Sequence, residues 1–141
     1  MSHDATPLVL QAMVGHASHA VVLRECCCAL RNIATSYKTT GLVIAAGGVV
    51  SIADAMSACP DDPEVQAHAC AALRNMAFAM GEEVASRHEA IEIIRTHALR
   101  QMVGAMRHHP EAGAVQVQAC GAFRNMSLVR PVMCAIIKVG A

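Results

Sequence analysis

Ala69-Cys70-Ala71-Ala72-Leu73-Arg74-Asn75-Met76-Ala77 decides the fold, because it occurs three times. Upstream it reads Cys26-Cys27-Cys28-Ala29-Leu30-Arg31-Asn32-Ile33-Ala34, and downstream Ala119-Cys120-Gly121-Ala122-Phe123-Arg124-Asn125-Met126-Ser127. The arginines are 43 and then 50 residues apart. A helix signature recurring at that period marks a helical solenoid, in which each unit buries its apolar face against its neighbours. The predicted fold class is therefore all-α, and no stretch shows a strand alternation that competes with it.

Working outward, each copy closes a longer unit. Thr6-Pro7 reads as an N-cap and first helical position, opening a helix to about His16. Ser18 caps the next helix, which runs to about Ser36 with the first copy, and Thr39-Thr40-Gly41 breaks it. A short apolar helix, 42–46, ends at Gly47-Gly48, where the chain turns sharply. Helix 49–58 follows, then the loop Cys59-Pro60-Asp61-Asp62-Pro63 with Asp62 as N-cap, then a long helix from Glu64 to about Met80. The next unit repeats the plan as 82–96, 98–108 and 114–128, with His97 standing where the glycine pair stood. Pro131 opens a last short helix through Val139. One domain, 1–141, thus divides into a partial repeat 6–36, repeats 39–80 and 82–128, and a partial repeat 131–141.

Composition narrows the function. Eleven basic and eleven acidic residues cancel, so no global field attracts nucleic acid or an anionic membrane. Aromatics are only 2%, and the core is left to Ala, Val, Leu, Ile, Met and Cys. Cys26, Cys27 and Cys28 point in different directions around a helix, and seven cysteines are an odd number. Buried free thiols of a reducing compartment fit best, in cytoplasm or nucleus. His68 and Cys70 lie on different faces and His108-His109 sit in a loop, with no CxxC or HxxxH spacing, so no metal site or cofactor is expected. Cys26 or Cys28 with His19 reads as packing rather than a nucleophile and its base. No catalytic residue is expected.

The short–medium–long triplet, with Ala45-Ala46-Gly47-Gly48-Val49, Pro63-Glu64-Val65-Gln66 and the Ala-Leu-Arg-Asn-Met-Ala core, resembles the armadillo repeat family over essentially the whole chain. The resemblance implies a right-handed α-solenoid of stacked helix triplets. It also implies a concave groove, lined by the long third helices, that takes an extended peptide. In that family the long-helix asparagine clamps the peptide main chain, a position matched by Asn32, Asn75 and Asn125. The importin-type groove has tryptophan four residues earlier. Here those positions are Cys28, Ala71 and Gly121, which offer no aromatic wall to a lysine stem.

The residues support a groove independently. At 100° per residue with Asn75 at the origin, Val65, Ala69, Ala72, Leu73 and Met76 fall within roughly +60° to +160°, an apolar face. Arg74 lies at about −100°, with His68 and Ala71 near the origin. Helices stacked at about 10 Å repeat this surface, and an extended peptide rising about 3.3 Å per residue meets each layer with about three residues. Asparagine suits an amide backbone, and arginine's fork suits carboxylate or phosphate. The expected function is a non-enzymatic interaction scaffold binding an extended acidic or phosphorylated segment of a protein partner, through Arg31, Asn32, His68, Arg74, Asn75, Gln118, Arg124 and Asn125. Two alternatives stand beside it. One is an importin-like import adapter. The other is a purely structural segment in which the asparagines bond neighbouring backbone and the arginines pair with acids such as Glu25. The terminal units are incomplete, and Val132, Ile136 and Ile137 are expected to offer an apolar end face for self-association.

Overall fold

The computed structural model describes residues 4–79 and 84–127, together with 134, 137 and 138. Among these are seven helices: α1 (Thr6–Gly15), α2 (Ala20–Ile33), α3 (Tyr37–Ala45), α4 (Gly48–Ala58), α5 (Pro63–Ala79), α6 (Val84–His108) and α7 (Gly113–Met126). No strand occurs among the described residues. The chain is all-α. The expected helix ends at Met80, Glu82 and Leu128, and the final helix 131–139, fall on or run through residues outside the described set.

Local chemistry sets the helix starts, and it corrects the sequence reading in four places. Thr6 is not the cap of α1 but its first residue, buried, with Ala5 before it and Asp4 Oδ1 accepting its N–H at 3.0 Å. Thr39 does not break the chain. Ser36 Oγ accepts the Thr39 N–H at 3.2 Å and Thr39 Oγ1 accepts the Ser36 N–H at 3.3 Å, a reciprocal cap that starts α3 at Tyr37. The α2 cap is His19, whose Nδ1 accepts the Val22 N–H, rather than Ser18. His97 does not interrupt α6, which runs on for 25 residues. A single histidine lacks the backbone freedom of the glycine pair that ends α3. There Gly47 takes φ 84°, the left-handed region, and α3 and α4 meet at 67°. Gly48 is also fixed by space, since a Cβ there would sit 2.8 Å from the Val43 carbonyl oxygen. At the start of α5, Asp62 caps as expected, its Oδ1 accepting from the Glu64 and Val65 N–H groups.

Packing builds two rows of helices. In one, α5 lies between α2 and α7; in the other, α4 lies between α1 and α6. The helices α2 and α5 run in the same direction, since Arg24 meets Glu64 at their starts and Asn75 meets Arg31 at their ends. The expected apolar face of α5 is the centre of the core. Val65, Ala69, Ala72, Leu73 and Met76 are fully buried, alongside Leu23, Ile52, Ile91, Ile94 and Met102. With so few aromatics, small residues fill the seams between long helices, and the backbones come close enough for side chains to reach the next backbone.

The loops that lead into the long helices are stapled from within. Gln66 Nε2 donates to the Met56 and Cys59 carbonyls at 3.0 and 2.9 Å. Gln116 Nε2 repeats the device on the Met106 and His109 carbonyls, both at 3.0 Å. Each glutamine ties off carbonyls at the end of the preceding helix that lack intrahelical partners.

Candidate binding face

The three motif arginines are half-buried or exposed on successive long helices. Arg31 Nη1 donates to His68 Nδ1 at 3.4 Å, and Arg31 Nη2 to Cys28 Sγ at 3.6 Å. A guanidinium only donates, so His68 Nδ1 is the acceptor in this contact. Arg74 Nη1 donates to Gln118 Oε1 at 3.2 Å. His68 and Gln118 hold the same place, six residues before the arginine of their own helix. Arg31 and Arg74 thus each reach sideways onto the next long helix. Glu25, considered in the sequence as a partner for Arg31, lies instead 3.5 Å from Arg24.

Beneath Arg74 lies Gly121. A Cβ there would stand 2.6 Å from Arg74 Nε and 2.7 Å from its Cδ. The lack of a side chain at Gly121 therefore lets an arginine lie across the helix surface.

The asparagines are committed to the seams. Asn75 Nδ2 donates to the Arg31 carbonyl at 3.0 Å, and Asn125 Nδ2 to the Arg74 carbonyl at 3.1 Å. The Arg31 carbonyl is at the end of α2, where the Thr35 N–H turns to Ile33 O and leaves it without that helical donor. Asn125 is buried, Asn75 half-buried and Asn32 exposed. The structure thus gathers the expected groove residues, but it pairs most of them with one another across two seams.

Charge along this face is uneven. Glu64 and Glu25 flank Arg24 near the starts of α2 and α5, beside a groove of about 680 Å³ that reaches Gly113 and Val115 of α7. Arg31, Arg74 and Arg124 lie toward the helix ends. Elsewhere Arg95 is held by Glu92. Among the described residues, none of the three motif arginines is paired with a carboxylate.

Sequence reasoning missed Gln66, Gln116 and the role of Gly121. The repeated Val-Gln pair at 65–66 and 115–116 was the available signal. It also missed the contact between loops, where His108 Nε2 lies 2.6 Å from Asp61 Oδ1 and His109 Nε2 donates to the Pro60 carbonyl at 2.8 Å. Of the expected end-face residues, Val132 and Ile136 lie outside the described set, and Ile137 is exposed. No helix among the described residues is long and apolar enough to cross a membrane. No family model, curated protein or solved structure matches the chain.

Proposed function

We propose that the chain is a non-enzymatic interaction scaffold built as an armadillo-like, right-handed α-solenoid. Its long helices receive an extended acidic or phosphorylated segment of a protein partner, in cytoplasm or nucleus. The side-by-side order of α2, α5 and α7, with α1, α4 and α6 behind, supports the solenoid reading. One observation carries the ligand class: Arg31 and Arg74 are bonded to a histidine and a glutamine, whereas Arg24 and Arg95 are held by carboxylates. A row of positive charge with no carboxylate partner among the described residues is completed by anionic groups spaced along a peptide.

The bonds of Asn75 and Asn125 favour a second reading, a structural segment in which this chemistry serves only to join repeats. An import adapter for basic signals is disfavoured by Arg74 lying across Gly121, where that class of groove needs an aromatic wall. Fluorescence anisotropy separates the readings. Labelled ten-residue peptides, one glutamate-rich, one phosphoserine-rich and one lysine-rich, are titrated at low and high salt. The scaffold reading expects the two acidic peptides to bind. It expects Arg31→Gln with Arg74→Gln to weaken them about tenfold or more, the scale of a lost charge-assisted bond. Equal or absent binding of all three peptides leaves the structural reading, and preference for the lysine-rich peptide the import reading.

A further inference from the structure

We infer that α7 of one copy docks on α2 of a second copy, repeating between molecules the seam that joins long helices within one. The internal seam has two unlike halves. The leading helix contributes its arginine and that arginine's carbonyl, with a buried cysteine four residues before the arginine. The following helix contributes an asparagine donor to that carbonyl and an acceptor for the guanidinium six residues before its own arginine. Both internal seams obey this rule, with Arg31 on His68 and Asn75, and Arg74 on Gln118 and Asn125.

The two uncovered edges are the two missing halves. On α2 the following-helix positions are Glu25 and Asn32, both exposed. The apolar stripe between them is Val22, Ala29 and Ile33. Their equivalents in α5 (Val65, Ala72, Met76) and in α7 (Val115, Ala122, Met126) are fully buried, whereas all three are only half-buried on α2. Beside them, Leu8 and Val21 are exposed, and Glu25 is the one charged residue lining a shallow groove of about 440 Å³ between α1 and α2.

On α7 the leading-helix half is equally open. Cys120 is exposed, though its equivalents Cys27 and Cys70 are fully buried under the next helix. Phe123 is half-buried where Leu30 and Leu73 are fully buried. Arg124 is exposed and among the described residues pairs with no carboxylate.

The occupant that fits both edges at once is another copy of this chain. Arg124 of one copy would meet Glu25 of the next, a carboxylate at the place where the internal seams offer a histidine and a glutamine. Asn32 would donate to the Arg124 carbonyl, an oxygen with two lone pairs that among the described residues accepts from Ser127 Oγ. Such a contact joins unlike faces, so it runs on or closes into a ring rather than stopping at a two-fold dimer.

Sedimentation equilibrium over a wide concentration range tests this with a charge swap. The wild-type chain is expected to gain mass with concentration, beyond that of a dimer. Glu25→Arg alone and Arg124→Glu alone each set like charges against one another and are expected to stay monomeric. The two single variants mixed one to one, and Glu25→Arg with Arg124→Glu in one chain, restore the pair and are expected to regain the mass. A wild-type chain that stays monomeric throughout overturns the inference. So does association that the single changes leave intact, as does failure of both the mixture and the swapped chain to recover. An apolar edge covered by some other protein would give the first of these results.

Discussion

The side-chain amide of Asn125 reaches the backbone carbonyl of Arg74, 3.1 Å away and in the preceding long helix. Asn75 does the same to Arg31 at 3.0 Å. One residue therefore ties each long helix to the backbone before it, in the same register as the arginine that reaches forward. The seam is directional: at each of the two, the earlier helix gives an arginine onward and the later one an asparagine back.

This geometry separates three residues that look alike in sequence. Asn125→Ala and Asn75→Ala each remove a donor from a carbonyl, and Asn125 is buried. We expect a loss of about 1–2 kcal/mol for each, with the larger loss at 125. Asn32→Ala removes an exposed amide that has no such carbonyl among the described residues, and the dilute protein is expected to change by less than about 0.5 kcal/mol. Urea denaturation followed by circular dichroism measures all three. Equal losses at 32 and 125 would refute the seam assignment.

The glutamine staples make a stronger demand. Gln66 is buried and serves two carbonyls with one amide. Gln66→Leu keeps the volume and strands the Met56 carbonyl, while the Cys59 carbonyl keeps the Asp62 N–H at 3.2 Å. At about 1–3 kcal/mol for a stranded buried group, the transition midpoint is expected to fall by several degrees or more. Gln116 makes the same two bonds from a half-buried position, where water can replace the amide in part. Gln116→Leu is therefore expected to cost less. Thermal melts of the two variants side by side give the ranking.

The contrast between these residues shows where sequence reasoning succeeds. The apolar face of α5 was legible from angular period alone, because burial follows the 100° step, and all five residues assigned to it are fully buried. The period also set the arginines and asparagines apart from that face, yet Asn125 is buried in a seam. Their partners were not legible. Whether Asn75 meets a ligand or a carbonyl of α2 depends on the spacing and register of two helices, which no local pattern encodes. The start of α3 was missed because Thr39 is a poor helix former in isolation, yet it is a good third residue when Ser36 stands before it. The continuity of α6 was missed because a break was carried over from one repeat to the next without the glycines that cause it.

Gly121 offers a way to move an arginine without removing it. A methyl group at 121 meets the Arg74 side chain rather than backbone, so the arginine must swing aside and release Gln118. Stability should change little, because alanine gains about 0.5–1 kcal/mol over glycine within a helix while one hydrogen bond worth about 1 kcal/mol is lost. Acidic-peptide affinity, if it rests on the present position of Arg74, should change by much more than stability does. Anisotropy titration and urea denaturation of Gly121→Ala, run together, check the dissociation of the two effects.

The thiols supply a pH dependence with a definite sign. Burial first, and neighbouring thiols second, push the Cys27 thiol up to about 12, and burial alone does the same for Cys70. Both thiols are neutral in the folded chain over a range in which the unfolded chain, with an ordinary value of 9.0, ionises. The folded state then holds more protons than the unfolded one, so stability falls as pH rises. Their contribution is fully present below about pH 9 and is lost progressively toward pH 12. Exposed Cys120 and Cys134 lack this burial. At pH 8 and low protein concentration, a maleimide reagent is expected to label Cys120 and Cys134 quickly while Cys27 and Cys70 stay unlabelled until urea is added. Mass spectrometry of digested protein reads each site separately. Replacing Cys27 and Cys70 by alanine should flatten the decline in stability between pH 9 and pH 11, at the cost of two small cavities. An unchanged slope in that variant would mean that other groups drive the alkaline loss.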